Sequence, residues 1–281
     1  MRIGLIVPVL PPAPFLDDAV RSALEQERPP DVHAIIPDER GDGPAATREA
    51  GLAQLGDCDW IALLDADDAW EPGKLAAQRD AIAGHPDAVV CFGRATAVGD
   101  DGRPTGETLP ELPAGRVTAD ELAPLLFDSN PIPTSSVIVR RDALVRAGGF
   151  AGPAPLASDW DLWLRLVADG GSFLCEPSAR IRYRRHAGGV TADVAALAES
   201  RLKVHAAHGS LVDEDSRRRS EARDLVLLAR GRIRQRRYAD AADALERADA
   251  LEALSGRESA LRTLVRVPGV RAALGRRAPY R

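Results

Sequence analysis

The chain has 281 residues, 45% of them hydrophobic, which suffices for one large domain or two smaller ones. Its net charge is −5 and its basic residues are almost all Arg, so no general nucleic-acid signature is present. Three scattered cysteines (Cys58, Cys91, Cys175) give no zinc or disulfide pattern, and no stretch reaches the ~20 apolar residues of a membrane span, so a soluble, reduced, cytoplasmic protein is expected.

In chain order, residues 3–9 form an apolar, β-branched run ended by prolines and predict a buried strand. Residues 16–26 have helical apolar spacing, and 32–36 predict a second strand stopped by Pro37. Turn residues from Gly41 lead into a helix ending near Leu55. A third strand is expected over 60–64, a helix over 74–83 and a strand over 88–92. Alternating strands and helices predict an α/β fold with a parallel sheet covered on both faces. Ligands of such sheets bind beyond the carboxyl ends of the strands, which is where Asp38 and the cluster Asp65, Asp67 and Asp68 fall.

Residues 97–124, rich in Gly, Pro and acids, read as loop with short elements. A strand is expected at 135–139, a helix at 155–168 and one or two strands over 173–185. From about 191 the chain is Ala-, Leu- and Arg-rich and reads as helical throughout. Within residues 227–248, Leu228, Ala229, Tyr238, Ala241, Leu245 and Ala248 fall at the packing positions of a tetratricopeptide-type hairpin. The expected division is a first domain over residues 1–190 and a helical region over 191–281.

The stretch LLDADDAWEPGKLAAQ puts three carboxylates within four residues at the end of an apolar strand. Their mutual repulsion makes sense if a hard divalent cation and a diphosphate complete the site. An EF-hand is excluded, because position 70 is Trp rather than the turn glycine such a loop needs. An aspartyl phosphotransferase is disfavoured because Asp68, rather than Thr or Val, follows the DxD.

The whole stretch resembles the corresponding segment of family 2 glycosyltransferases with the GT-A fold, at Leu64, Asp65, Asp67, Asp68, Trp70, Pro72, Lys74, Leu75 and Gln78. IGLIVPVL with Pro8, the helix retaining Ser22, Leu24 and Gln26, AIIPDERGDG, GPAATREAGL, NPIPTSSVIVRRDALVRAGGF, ASDWDLWLRLVADGG and IRYRRHAGGVT resemble further family segments in the family's order, through about residue 191.

The resemblance implies transfer of a sugar, usually with inversion, from a nucleotide-diphosphate sugar (UDP-sugar favoured) to an acceptor hydroxyl, and the absence of the QxxRW signature of processive synthases and of a membrane span favours a single addition. It implies that Asp38 bonds the nucleotide base with Arg48 nearby, and that Asp65 and Asp67 hold the ribose and a Mn²⁺ or Mg²⁺ ion. Asp68 lies close by as a candidate metal ligand, and His186 sits near the diphosphate. Asp159 stands at the position of the general base, with Trp160, Asp161 and Arg165 supporting the acceptor side. An acceptor hydroxyl needs such a base, worth roughly 10²–10⁴-fold. The acceptor is a glycan, a natural product or a peptide. The C-terminal helices are candidates for self-association, and the seven arginines of residues 256–281 for an anionic surface.

Several positions depart from the family pattern. The first-loop asparagine is missing from PVLPPAPF, and Glu39, Glu49 and Ser158 replace family residues. The alternative is therefore a degenerate GT-A module that binds a nucleotide or partner without catalysis. A nucleotidyltransferase is disfavoured by the lack of a Gly-rich, basic phosphate loop near the N-terminus.

Overall fold

A computed structural model describes residues 1–109, 112–186 and 193–267. The chain divides into two compact units, Met1–Gly189 and Val190–Arg281. The expected boundary at 190/191 and the end of the Arg-rich tail, residues 268–281, lie outside the described residues.

The first unit begins β1 (Ile3–Val9), α1 (Leu16–Leu24), β2 (Val32–Pro37), α2 (Gly43–Gln54), β3 (Trp60–Leu63). A two-residue β4 (Ala69–Trp70), α3 (Lys74–Gly84) and a long β5 (Ala88–Val98) follow. Next come β6 (Pro104–Leu109), β7 (Gly115–Val117), α4 (Ala119–Asp128), a 3₁₀ turn at Thr134–Ser136 and β8 (Ile138–Arg140). The unit closes with α5 (Arg141–Arg146), α6 (Ser158–Ala168) and β9 (Ser172–Arg184). Among the described residues the strands make one nine-stranded sheet with the path β2-β1-β3-β8-β5-β9-β4. Strand β1 is buried at every position and pairs in parallel with both β2 and β3, as its unbroken apolar run requires.

The sheet is mixed rather than parallel throughout. Strand β8 lies antiparallel between β3 and β5, pairing Ile61 with Val139 and Val90 with Val139. Only three residues long, β8 gives no directional signal, so its orientation comes from the chain path. The strand expected at 135–139 starts later, because Thr134–Ser136 wind into a turn. The stretch 97–124 is more ordered than its composition suggests. Here β5 pairs with β6, and α4 starts at a capping box in which the Thr118 side chain accepts from Glu121 N and Glu121 accepts from Thr118 N.

The second unit holds α7 (Val194–His208), α8 (Glu214–Arg234), α9 (Tyr238–Leu251) and α10 (Gly256–Leu264). Ala229, Ala241, Leu245 and Ala248 have almost no exposed surface and share one core with Leu225, Leu228 and Ile233. The turn between α8 and α9 is closed by Arg236 in the left-handed region, φ 60°. No described helix is long and apolar enough to cross a membrane.

Candidate active site

Strand β3 ends in a fully buried apolar run, Ile61 to Leu64, and releases the chain at Asp65. Leu64 still donates its N–H to Ile6 O, so β1 holds the strand end in place. The three aspartates beyond it fall into different environments. Asp65 accepts from Arg48 Nη2 at 2.5 Å. Arg48 comes from α2, is 5% exposed, and has a buried Nε without a hydrogen-bond partner. Asp67 Oδ2 lies 3.0 Å from His186 Nε2, just past the end of β9. Burial, then the charge of Asp65, push Asp67 above the usual carboxylate value, and the His186 hydrogen bond pulls it back.

Asp68 turns inward and is 2% exposed. Its Oδ2 accepts from Ser135 Oγ at 2.6 Å and its Oδ1 from the N–H of Arg184 at 2.8 Å. Burial first, then Asp67 and Asp65, raise it well above an ordinary aspartate. With both oxygens engaged inside the protein, Asp68 holds the acidic turn against β9 and the Ser135 turn.

The other motif residues hold the frame. Ser22 Oγ accepts from Trp70 N at 2.9 Å, and Gln26 bridges Glu71 O and Leu75 N at 2.9 and 3.1 Å. Trp70 donates its Nε1 proton to Ser135 O at 2.8 Å, and Gln78 donates to Ser136 O at 2.9 Å. Gly73, with φ 81°, makes the turn into α3, a conformation that favours glycine. Pro8 is buried in β1 opposite Ile36 of β2.

Asp38 follows β2 and takes the N–H groups of Asp42 and Gly43 at 2.9 and 2.8 Å. These bonds, Gly43 foremost, hold its carboxyl below the usual value. One departure from the family pattern finds a partner in the fold. Glu49 accepts the N–H groups of Phe150 and Ala151, so a longer acid grips the turn at Gly148–Gly149.

Asp159 lies in the first turn of α6 and is half-buried. Its Oδ2 accepts from Asn130 Nδ2 at 2.9 Å and from Thr134 Oγ1 at 2.8 Å. Behind it, Asp161 is 1% exposed and accepts from Arg165 Nε at 2.9 Å, while Arg165 also reaches Ala147 O. Trp160 is 2% exposed and donates to Leu126 O, and Trp163 stands edge-on to Phe173 in the core. Trp70 is likewise 2% exposed, so all three indoles are packed inside the protein.

Sequence reasoning missed Asn130, Thr134, Ser135 and Arg184. The signal was the Ser/Thr run beside two prolines in NPIPTSS. Arg184 is 7% exposed, donates from Nε to Asp67 O at 3.0 Å, and carries its guanidinium 4.1 Å over the Phe15 ring. Phe15 also meets His186 edge-on at 5.9 Å, so the proline-rich first loop packs on the site histidine.

Among the described residues, no group of three or more His, Cys, Asp or Glu is placed to hold a metal ion by itself. The donor chemistry still fits a shared ion. Asp67, raised by burial and then by the charge of Asp65, lies beside the His186 imidazole at a position a cation would favour, and Mg²⁺-type ions need only one or two protein carboxylates when a diphosphate supplies the rest.

Residues 17–146 match the model of glycosyl transferase family 2. Uncharacterized protein Rv1520 of Mycobacterium tuberculosis is 34% identical over 133 residues, 47% of this chain and 36% of that protein. The chain thus spans about a third of the length of the curated relatives it matches. The fold is similar to that of S. aureus TarS 1-349 in complex with UDP-GlcNAc, with TM-score 0.62 and 16% identity over 98% of this chain and 88% of that one. It is also similar to mannosyltransferase PcManGT from Pyrobaculum calidifontis in complex with GDP-Man and Mn²⁺, with TM-score 0.56 and 16% identity over 98% and 86% of the two chains. The mixed sheet flanked by helices is a GT-A fold.

Proposed function

From a chain that carries a family 2 glycosyl transferase segment at residues 17–146 in a GT-A fold, we propose a metal-dependent, inverting glycosyltransferase that moves one sugar from a nucleotide-diphosphate donor to an acceptor hydroxyl. The observation that carries this reading is the convergence of Arg48, Asp65, Asp67 and His186, from three separate segments, through hydrogen bonds beyond β3 and β9. TarS and PcManGT bind UDP-GlcNAc and GDP-Man respectively, which supports a nucleotide-sugar donor here.

Asp65, steadied by Arg48, receives the ribose, and Asp38 faces the base. Asp67 and His186 would hold Mn²⁺ or Mg²⁺ together with the donor diphosphate. The bound ion would supply Lewis-acid stabilisation of the leaving nucleotide diphosphate. Asp159 takes the proton of the acceptor hydroxyl as its oxygen bonds the sugar's anomeric carbon. The carbon–oxygen bond to the diphosphate breaks, and its electron pair leaves with the nucleotide.

The test pairs a binding panel of UDP-, GDP- and dTDP-sugars, with and without Mn²⁺, with the variant Asp159→Asn. The expected result is metal-dependent binding of one donor, retained in the variant, and a loss of turnover of about 10²–10⁴-fold. Normal turnover in Asp159→Asn would remove that residue from the base role. Donor binding without hydrolysis or transfer in the unmodified protein would favour a non-catalytic nucleotide-binding module.

A further inference from the structure

The turn Thr134–Ser136 touches both halves of the site. Its three residues are 9%, 0% and 0% exposed. Thr134 Oγ1 donates to Asp159 Oδ2 at 2.8 Å. The next residue, Ser135, donates from Oγ to Asp68 Oδ2 at 2.6 Å and accepts the N–H of Asp65 on the same oxygen at 3.0 Å. The backbone is pinned from the donor side, since Trp70 donates to Ser135 O and Gln78 to Ser136 O. Within the turn, Ser136 Oγ donates to Pro133 O at 2.7 Å. Two adjacent side chains therefore tie the acidic cluster after β3 to the carboxylate of α6.

The grip on Asp159 is one-sided. Asn130 Nδ2 and Thr134 Oγ1 both donate to Oδ2. Among the described residues, nothing donates to Oδ1. Asn130 is itself oriented, because its Oδ1 accepts from Ile132 N at 3.1 Å. Two fixed donors on one oxygen stop the carboxylate from rotating and leave the second oxygen, with its lone pairs, for an incoming hydroxyl.

We infer that Asn130 and Thr134 are positioning residues that lock Asp159 by Oδ2 so that Oδ1 receives the acceptor proton, and that Thr134 and Ser135 together set the base at a fixed offset from the donor carboxylates. This rests on the reading of Asp159 as the base. A misplacement of about 1 Å at such a group costs on the order of 10²-fold in rate, so a rigid bracket between base and donor has a clear use.

The variants separate the two ends of the bracket. Thr134→Val keeps the shape and removes the donor, and Thr134→Ser keeps the hydroxyl. With UDP-GlcNAc or GDP-mannose, whichever binds, and water as acceptor, Thr134→Val and Asn130→Ala are each expected to lower kcat by about 10-fold or more. The donor KM is expected to stay within about twofold, and Thr134→Ser to restore kcat. Ser135→Ala is expected to show the opposite split, raising donor KM with the smaller change in kcat.

A substrate-free readout accompanies the kinetics. In ¹³C-aspartate-labelled protein, the Asp159 carboxyl resonance, assigned by its loss in Asp159→Asn, should move in Thr134→Val and Asn130→Ala and return in Thr134→Ser. Wild-type kcat in both Thr134→Val and Asn130→Ala, equal losses in Thr134→Val and Thr134→Ser, or an unmoved carboxyl resonance would overturn the inference. Full activity in Asp159→Asn would instead overturn the base reading, so the two failures are distinct.

Discussion

Lys74 shows how far a single side chain can be drawn from its ordinary behaviour. It opens α3 fully buried, with its Nζ lacking a hydrogen-bond partner and lying 3.9 Å from the centre of the Trp70 ring. Burial lowers its ammonium to about 7. A lysine depressed in the folded state costs stability wherever the unfolded chain holds the proton and the folded chain does not, and that cost grows as pH falls toward 7. Stability should therefore rise with pH between about 7 and 10. Lys74→Met, which keeps the apolar stem, is expected to raise the melting temperature at pH 7 and to flatten this rise. A pH-independent difference between the two proteins would contradict it. The aspartates of the acidic cluster illustrate the same principle. Adjacent in sequence, Asp67 and Asp68 fall into different environments, because one meets an imidazole and the other a buried serine and a backbone N–H.

Strands β5 and β9 are the two longest of the sheet and pair with each other, and one glycine permits a close backbone approach between them. A Cβ on Gly93 would sit 1.7 Å from Ala179 O, at the place where the pairing register shifts. Backbone on both sides leaves nothing able to yield. Gly93→Ala is expected to destabilise the protein by about 1–3 kcal/mol or more in chemical denaturation. Gly84→Ala is the control, since a Cβ there meets nothing within 4 Å. It should be neutral or stabilising by up to about 1 kcal/mol. Equal behaviour of the two variants would show that this close approach does not limit the sheet. Helix α3 and the Thr134–Ser136 turn are coupled in a similar way, through Gln78, which binds Cys91 O on β5 and Ser136 O together.

Every candidate site residue lies in Met1–Gly189, and so do all four tryptophans. The helical unit has its own apolar core, with Leu245 fully buried at its centre. Leu245→Ala is expected to cost that unit about 2–5 kcal/mol. The helical circular-dichroism signal should then melt earlier, while tryptophan fluorescence reports on the first unit. Donor binding should be unchanged, and its loss would contradict a site built wholly from the first unit.

Much of this architecture is legible along the chain, because the deciding forces are local. The unbroken apolar runs at Ile3–Val9 and Trp60–Leu63 cannot face water on either side, so they read as central strands. The spacing from Asp65 to Gln78 marks a strand end, an acidic turn and a helix start. Leu245 and Ala248 mark a buried helical face in the second unit. The sequence alone thereby determined an α/β sheet with carboxylates at its carboxyl edge and a helical region after it. Tertiary structure decided the rest. The direction of β8 depends on the path between strands rather than on three residues of propensity. The burial of Trp160 and Asp161 depends on which face of α6 meets α4 and α5. The split between Asp67 and Asp68, and the grip of Thr134 and Asn130 on Asp159, depend on groups separated by 25 to 119 positions meeting at bonding distance. Hydrogen bonds act over about 3 Å, and periodicity carries no information about which distant group arrives there.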